Sequence, residues 1–396
     1  MVKYDDITTD RQLADLCDEL RSATSIEFDT EFVSERTYRP QLCLVQVAWA
    51  NGRLAVIDTL AVSDVSPFWK LITEGDHETV VHAGREELAF ALASVGRRPQ
   101  RLFDVQIAAG MVGYEYPAGY GSLNAKILGE KINKGETRTN WHHRPLSQHQ
   151  IEYALSDVVN LKLIRDKLHE KLAGLDRVAW FEDEMRAWQD SVEQTLSRDR
   201  WRRVSRISGL SPRSLAVVRE LWQWREQEAE RRNCPVKRVL RDDLIAELAK
   251  RRISDPKRMM AVRGLDRGDL KRAAPALAKC VSRAMDLPES ELPRGAPREG
   301  ATPEALLVQF LFSALGSICR SAQIAPSIVG TVADVRELVA HQLGMRQHDD
   351  EPPALRSGWR GEIVGNVIDE LLDGKVAIRI GNPRSGHPLV LMPTEA

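Results

Sequence analysis

Hydrophobic and polar positions follow two different periods along the first 175 residues. Short runs rich in Val, Ile, Leu and Phe at residues 25–33, 41–49 and 53–58 predict three consecutive β-strands, which we expect to be antiparallel. Further strands are predicted at 79–83 and 101–104, each followed by a helical pattern, and one helix is predicted from Ser147 to Leu172. Mixed strands followed by strand–helix units are typical of an α/β layer fold.

The remainder of the chain has helical periodicity. A charged helix with two tryptophans is expected to connect two domains, and residues 212–283 are predicted to be helical with breaks at Pro235, Pro256 and Gly264. A Pro- and Gly-rich stretch precedes a last helical region. The predicted division of the chain is 1–175, 176–200 (connector), 201–285, 286–302 (linker) and 303–396.

Charge is distributed unevenly although the formal net charge is only −1. Residues 201–272 contain 20 basic and 10 acidic side chains, a surplus of +10, so the rest of the chain has a surplus of −11. An acidic body joined to a basic module suits a polyanionic partner, because the basic part holds phosphates and the acidic part holds metals. The alternative is that these charges are simply solvated helix faces.

Composition excludes several classes of protein. The five cysteines are scattered without a C-x-x-C pair, so neither a zinc site nor a disulfide framework is indicated. The N-terminus lacks the apolar stretch of a signal peptide, and no segment approaches the roughly 20 apolar residues of a membrane span. We therefore expect a cytoplasmic protein without membrane contact, and a monomer.

Two carboxylates, Asp29 and Glu31, lie two residues apart inside the apolar segment 25–33. On a β-strand this spacing directs both side chains to the same face, where they repel each other and raise each other's pKa. A hard divalent cation such as Mg²⁺ removes this conflict by taking oxygen ligands. Tyr153 and Asp157 lie four residues apart in the predicted helix, so a phenol and a carboxylate should share one helical face.

At these residues the chain resembles the DEDD superfamily of 3′→5′ exonucleases, in the subgroup with a tyrosine in the third motif, and within it the ribonuclease D family. The motifs are Glu-Phe-Asp-Thr-Glu-Phe at 27–32, His-Ala-Gly-Arg-Glu-Glu-Leu at 82–88 and Tyr-Ala-Leu-Ser-Asp at 153–157. Segments around them, such as 35–38, 42–46 and 103–109, are also similar to that family.

The resemblance implies a specific fold and site. We expect an α/β protein, with a ribonuclease H-like mixed-sheet exonuclease domain followed by all-helical HRDC-like modules. Two Mg²⁺ ions, or Mn²⁺ in their place, would be held by four carboxylates, and Tyr153 would position the attacking water. The four expected ligands are Asp29, Glu31, Glu87 and Asp157.

One position departs from the family pattern. Glu87 stands where the family usually has aspartate, five residues after His82. Glutamate keeps the charge and adds one methylene, so it could bind a metal directly where aspartate would act through a water. His82 is a candidate substrate contact, with a core histidine that has a hydrogen-bond partner as the alternative.

Other polar residues near the motifs allow two interpretations. Lys134 and Arg144 precede the third motif and are candidates for contacts with substrate phosphates, with ordinary surface charge as the alternative. Asp104 precedes a helical run and is predicted to be its N-cap rather than a metal ligand. We expect Trp141 to be a packing residue.

The basic segment also resembles a known module. Residues 221–226, 235–240 and 242–245 are similar in pattern to the HRDC module of ribonuclease D and RecQ-type helicases. Together these resemblances imply a metal-dependent 3′→5′ exoribonuclease that releases nucleoside 5′-monophosphates from transfer RNA precursors and small structured RNAs. Alternatives are a nucleic-acid-binding protein with an impaired nuclease fold, suggested by Glu87, and a 3′→5′ DNA exonuclease acting on single-stranded DNA.

Overall fold

The computed structural model describes residues 3–131, 139–197, 200–293, 305–345, 352–385 and 388–394. Contacts divide the chain into two compact units: residues 1–31, 43–193 and 300–396 form one, and residues 32–42 and 194–299 form the other. Among the described residues, no helix combines the length and apolar content that crossing a bilayer requires. The α/β class with a mixed sheet and a helical C-terminal half is confirmed.

A six-stranded sheet is the centre of the first unit, in the order β1-β4-β3-β2-β5-β6. Strand β3 pairs antiparallel with β4, as expected, whereas β1 with β4, β2 with β5 and β5 with β6 are parallel pairs. The strands are β1 (Asp5–Ile7), β2 (Ser25–Val33), β3 (Gln41–Trp49), β4 (Arg53–Asp58), β5 (Glu78–Val81) and β6 (Leu102–Asp104).

In the described residues up to 197, the sheet is accompanied by the helices α1 (Asp10–Leu20), α2 (Ser66–Glu74), α3 (Arg85–Val95), α4 (Val105–Met111), α5 (Tyr120–Leu128), α6 (Gln148–Ser156), α7 (Leu161–Gly174) and α8 (Val178–Ser197). Phe28 of β2 anchors the packing of the sheet against α2. Its ring meets Phe68 and Trp69 edge-on, with centroids 5.6 and 5.8 Å away. All three side chains are buried, so one face of β2 is fixed by an aromatic cluster.

The predicted strand at 79–83 ends at Val81, because the next residues turn sharply. Ala83 has a positive φ of 55°, and the backbone N–H groups of Ala83 and Gly84 both donate to the Asp104 carboxylate, at 3.1 and 2.9 Å. A Cβ on Gly84 would lie 2.4 Å from the Val81 side chain, so only glycine fits there. Asp104 also accepts from the Gln106 N–H and is the N-cap of α4, as predicted.

The prediction of a single helix from Ser147 to Leu172 is wrong, because the chain forms two helices separated by a turn at 157–160. Ser147 starts α6 with a capping box to Gln150, and Asp157 is its C-cap. Backbone N–H groups in the turn bond three residues back, as Val158 does to Leu155. Asn160 donates to Asn124 in the middle of α5, which is a tertiary contact that periodicity does not reveal.

The second unit is helical and contains α9 (Pro212–Arg231), α10 (Val236–Val239), α11 (Asp242–Arg251), α12 (Pro256–Met259) and α13 (Gly268–Asp286), with short 3-10 turns at Arg200–Arg203 and Glu289–Glu291. Leu221, Ile245 and Leu277 are among its fully buried core residues. Trp222 and Trp224 are half-buried and pack against that core. Residues 32–42 belong to this unit, and Tyr38 donates its hydroxyl to Glu226 at 3.1 Å.

The C-terminal region groups with the catalytic sheet. It contains α14 (Ala305–Ser321), α15 (Pro326–Val329), α16 (Val332–Gln342), a 3-10 turn (Ala354–Arg356), α17 (Gly358–Arg360), a π-helical turn (Gly361–Gly365), α18 (Asn366–Leu372), β7 (Val376–Ile380) and β8 (Leu389–Pro393). Strands β7 and β8 form an antiparallel pair, so the expectation of a purely helical end to the chain needs correction. The β-branched run in 376–380 already carries that strand propensity.

Arg177 joins this region to the rest of the unit. Its guanidinium donates to the carbonyl oxygens of Met111 (2.7 Å), Gln323 (2.8 Å) and Ala322, and the residue is only 6% exposed.

Arg177→Met should therefore lower the free energy of unfolding by about 2–4 kcal/mol, because three carbonyl groups lose a charged donor. Urea denaturation measures the change. Arg186→Met, which removes an exposed ion pair on α8, should cost no more than about 0.5 kcal/mol.

Candidate active site

Strand β2 presents Asp29 and Glu31 on the face opposite to the Phe28 cluster. The alternation of the strand produces this arrangement, because Phe28 and the two carboxylates differ by odd numbers of residues. Asp157, at the C-terminus of α6, completes the group. One carboxylate oxygen from each of the three residues lies within 4.8 Å of the others. Residues separated by more than 120 positions in the sequence are thus brought together.

Burial disfavours the charged form of all three carboxylates, and repulsion between charges adds to this for Asp29 and Glu31. Burial raises the pKa of Asp29 well above its usual value, and the charges of the neighbouring carboxylates raise it further. Burial followed by the charges of Asp157 and Glu87 raises the pKa of Glu31 to about 8. Burial raises the pKa of Asp157 to about 6, and the Tyr153 hydroxyl offsets part of that shift. The charges that act on Glu31, those of Asp157 and Glu87, are negative. A divalent cation would compensate this negative charge and bind the carboxylate oxygens as ligands.

Glu87, the fourth expected ligand, lies outside the group of three but interacts with it. The Thr30 hydroxyl donates to Glu87 Oε1 at 2.6 Å, and both side chains are buried. Burial raises the pKa of Glu87 to about 7, and Asp104 adds to the effect. Glu87 is also the largest electrostatic contributor to the raised pKa of Asp29. Its carboxylate is therefore near enough to influence the site, while its direct bonding partner is a hydroxyl group.

Two polar residues of the site were not singled out by sequence reasoning. Thr30 lies between Asp29 and Glu31 and holds Glu87, as described above. Gln46 of β3 donates its Nε2 to Asp29 Oδ2 at 3.1 Å and is completely buried. A signal for Gln46 was present, because a glutamine inside the apolar run at 43–48 is costly to bury without a partner.

Tyr153 lies beside the carboxylate group on α6. It is half-buried, and its ring lies 6.2 Å from that of Trp141, which is buried as a packing residue should be. Burial raises the pKa of the Tyr153 hydroxyl, and the negative charges of Asp157, Glu31 and Asp29 raise it further. The phenol therefore keeps its proton throughout the physiological pH range and can donate a hydrogen bond into the site.

The three candidates for substrate contacts are His82, Lys134 and Arg144. His82 bonds through Nε2 to the Ala118 carbonyl at 2.8 Å and meets Tyr120 edge-on, which is the environment of a core histidine. Lys134 lies outside the described residues. Arg144, the other candidate for contacts with substrate phosphates, uses all five of its N–H donors within the protein. It forms a fork with Asp58 (2.5 and 2.7 Å) and donates to three backbone carbonyls.

Comparison with known families assigns two segments of the chain. Residues 4–173 match a family of 3′-5′ exonuclease domains, and residues 214–281 match the HRDC domain family. Asp29, Glu31, Glu87 and Asp157 all lie within the first match. The second match lies within the helical unit and covers α9 to α13 almost completely.

Curated relatives are similar along nearly the whole chain. The ribonuclease D of Gluconacetobacter diazotrophicus is 33% identical over 386 residues, covering 96% of this chain and 95% of the relative. That of Escherichia coli K12 is 30% identical and covers 94% and 99% of the two chains. A crystal structure of E. coli RNase D, described as an exoribonuclease involved in structured RNA processing, superimposes with a TM-score of 0.81 at 29% identity, over 94% and 99% of the chains.

The raised pKa values predict how stability depends on pH. An unfolded glutamate loses its proton near pH 4.5, whereas Glu31 in the folded protein holds it up to about pH 8. The folded state binds more protons in this window, so metal-free protein should lose stability as pH rises from about 4.5 to 8. We expect the thermal midpoint to fall by roughly 5 °C or more, since one pKa unit corresponds to about 1.4 kcal/mol and 1 kcal/mol to about 2–4 °C.

Thermal melts in a chelating buffer and in millimolar Mg²⁺ measure this effect. Added Mg²⁺ should remove most of the decline, because a bound cation favours the ionised carboxylates. Glu31→Gln should flatten the pH dependence of the metal-free protein. A metal-free midpoint that rises or stays level between pH 5 and 8 would show that these carboxylates are not destabilised in their charged form.

Proposed function

The chain belongs to the ribonuclease D family, and we propose that Asp29, Glu31 and Asp157 form the metal centre of its nuclease reaction. The protein is a 3′→5′ exoribonuclease, a hydrolase whose catalytic domain is followed by an HRDC domain. The observation that carries the proposal is the grouping of three partly buried carboxylates, each with an oxygen within 4.8 Å of the others. No described basic side chain forms an ion pair with them.

The donor set fits magnesium. Carboxylate oxygens are the ligands that Mg²⁺ prefers, and two Mg²⁺ ions are proposed, with Mn²⁺ as a substitute. Bound divalent cations supply Lewis-acid stabilisation of the charge that develops on the phosphoryl oxygens. Asp29, Glu31 and Asp157 would hold the cations. Glu87, which accepts a hydrogen bond from Thr30, would contribute to the second ion directly or through a water.

The reaction is hydrolysis of the last phosphodiester bond of a strand. The oxygen of a water attacks the phosphorus atom, the bond to the 3′ oxygen of the preceding nucleotide breaks, and a nucleoside 5′-monophosphate leaves. Tyr153, which keeps its phenolic proton, would orient the attacking water by a hydrogen bond. The tilted packing on Trp141 holds the phenol ring in place for this role.

RNA is the proposed substrate, with transfer RNA precursors and other small structured RNAs as targets. The surplus of +10 in residues 201–272 supports contact with the phosphates of such molecules. Lys257 and Arg258 on α12 are exposed and form no ion pair with any described residue, so they are available to phosphates. The alternatives are a DNA exonuclease and a binding protein without activity. The intact group of three carboxylates favours activity over the latter.

Labelled strands test the activity, its direction and its sugar preference together. With Mg²⁺, 3′-labelled RNA should release its label at once as a mononucleotide, while 5′-labelled RNA shortens stepwise. Asp29→Asn should slow hydrolysis by about a thousandfold or more, because it removes a charged oxygen ligand without changing the shape of the residue. Glu27→Gln is the matched control, since Glu27 is a buried carboxylate on the same strand face that bonds to Ser25.

Three results would overturn parts of this assignment. A near wild-type rate for Asp29→Asn would remove the proposed metal centre. DNA shortened as fast as RNA would change the substrate class. Uncut strands that nevertheless bind the wild-type protein would favour the alternative of a binding protein with an impaired nuclease fold.

The basic module is best tested by point substitutions, because residues 300–396 pack with the catalytic unit and truncation would disturb it. Lys257→Gln with Arg258→Gln should weaken binding to structured RNA and reduce the slope of log affinity against log salt by about 1.4, or 0.7 per phosphate contact. Filter binding over a salt series measures the slope. Cleavage of a short single strand should be unchanged.

Arg231→Gln with Arg251→Gln provides the control with the same change in net charge. These two arginines are exposed but paired with Glu228 and Glu247, each at 2.6 Å. Removing these two paired arginines should change the salt slope less than removing the unpaired Lys257 and Arg258 does. Equal slopes for both double variants would mean that net charge, and not contact at α12, determines RNA affinity.

A further inference from the structure

Gln46 is a polar residue in the most apolar strand of the sheet. Its neighbours along β3, from Cys43 to Ala48, are buried hydrophobic side chains, and Gln46 itself has no exposed surface. Burying an amide group is unfavourable unless hydrogen bonds replace those made with water. A methionine or leucine would fill the same volume without this cost. The presence of glutamine therefore requires an explanation outside packing.

The hydrogen bonding of Gln46 is one-sided. Nε2 donates to Asp29 Oδ2 at 3.1 Å, whereas Oε1 is buried and has no hydrogen-bond partner among the described residues. An ionised carboxylate only accepts hydrogen bonds, so the amide nitrogen must face Asp29 whenever a cation is bound. The amide oxygen is left without a partner among the described residues, while the amide nitrogen places one donor on this carboxylate.

A neutral donor has a particular advantage beside a metal ligand. A lysine or arginine in this place would pair with Asp29 and compensate its charge, which would compete with a cation. An amide fixes one oxygen of the carboxylate and leaves its full negative charge and the second oxygen available. The same solution occurs at Glu87, where the neutral hydroxyl of Thr30 donates at 2.6 Å.

We propose that Gln46 is a positioning residue that holds the Asp29 carboxylate in the orientation needed for divalent cations. The inference rests on the proposed metal centre and adds a residue from the neighbouring strand to it. Gln46 touches neither substrate nor metal and acts through Asp29. Removing its donor frees the carboxylate to rotate, so the bound cation must supply the ordering that the amide now supplies.

Calorimetry of Mn²⁺ binding to the full-length protein, without RNA, tests the proposal. Gln46→Met keeps the volume and removes the donor, and it should weaken Mn²⁺ binding by about tenfold, within the range found for residues that orient metal ligands. Gln189→Met is the matched control. Gln189 is likewise a buried glutamine of the same unit, but it donates to the Pro99 carbonyl at 2.9 Å, and its loss should leave Mn²⁺ affinity unchanged.

A merely structural role would lower the thermal midpoints of both glutamine variants and leave both Mn²⁺ affinities at the wild-type value, which would overturn the proposal. Equal losses of Mn²⁺ affinity in the Gln46 and Gln189 variants would also overturn the proposal.

If Gln46→Met does not fold, Gln46→Asn, which keeps the amide but shortens its reach, should show the same tenfold loss of Mn²⁺ affinity. Failure of both to fold would make Gln46 a core residue. Asp29→Asn distinguishes failure of the proposed metal centre from failure of the proposed role of Gln46. Unaltered Mn²⁺ binding in Asp29→Asn would show that the metal centre itself is wrongly assigned.

Discussion

The close approach of partly buried carboxylates is the constraint on which the catalytic unit depends. Burial raises the pKa values of Asp29, Glu31 and Asp157, and the negative charges of neighbouring carboxylates raise those of Asp29 and Glu31 further. The rest of the fold must hold them there in the absence of a compensating cation. Packing elsewhere supplies the free energy, as is usual for functional sites that store local strain.

Strand β2 resolves this constraint by separating its two faces. One face is fixed by the contacts of Phe28 with Phe68 and Trp69, which bury large aromatic surfaces. The other presents the two carboxylates at a spacing that the pleat alone determines. Because the apolar face makes β2 rigid, the carboxylates cannot relax by moving the backbone. Neutral donors from Gln46 and Thr30 then fix individual side chains without cancelling the charge that attracts a metal.

Local spacing in the sequence was enough to predict the strands around the site and to place Asp29 with Glu31, and Tyr153 with Asp157, on shared faces. That the motifs form one site was implied by the family resemblance and not by spacing. Tertiary contacts account for what could not be predicted. Arg144 carries no sign in the sequence that its partner is Asp58, 86 residues earlier. In the turn that splits the predicted helix, Asn160 donates a hydrogen bond to Asn124 of α5, which lies 36 residues earlier. Periodicity reports which face of an element is buried, but not which buried polar groups find each other across elements.

The C-terminal region supports the site through a short series of contacts. The Ala325 N–H donates to the Gly110 carbonyl at the end of α4 (2.8 Å), so this region braces α4. Helix α4 begins at Asp104, whose carboxylate receives the N–H groups of Ala83 and Gly84. That turn starts α3, which carries Glu87. The C-terminal region, although far along the chain, thereby helps to place the Glu87 carboxylate beside the proposed metal centre. This contribution gives a physical reason for its packing with the catalytic sheet.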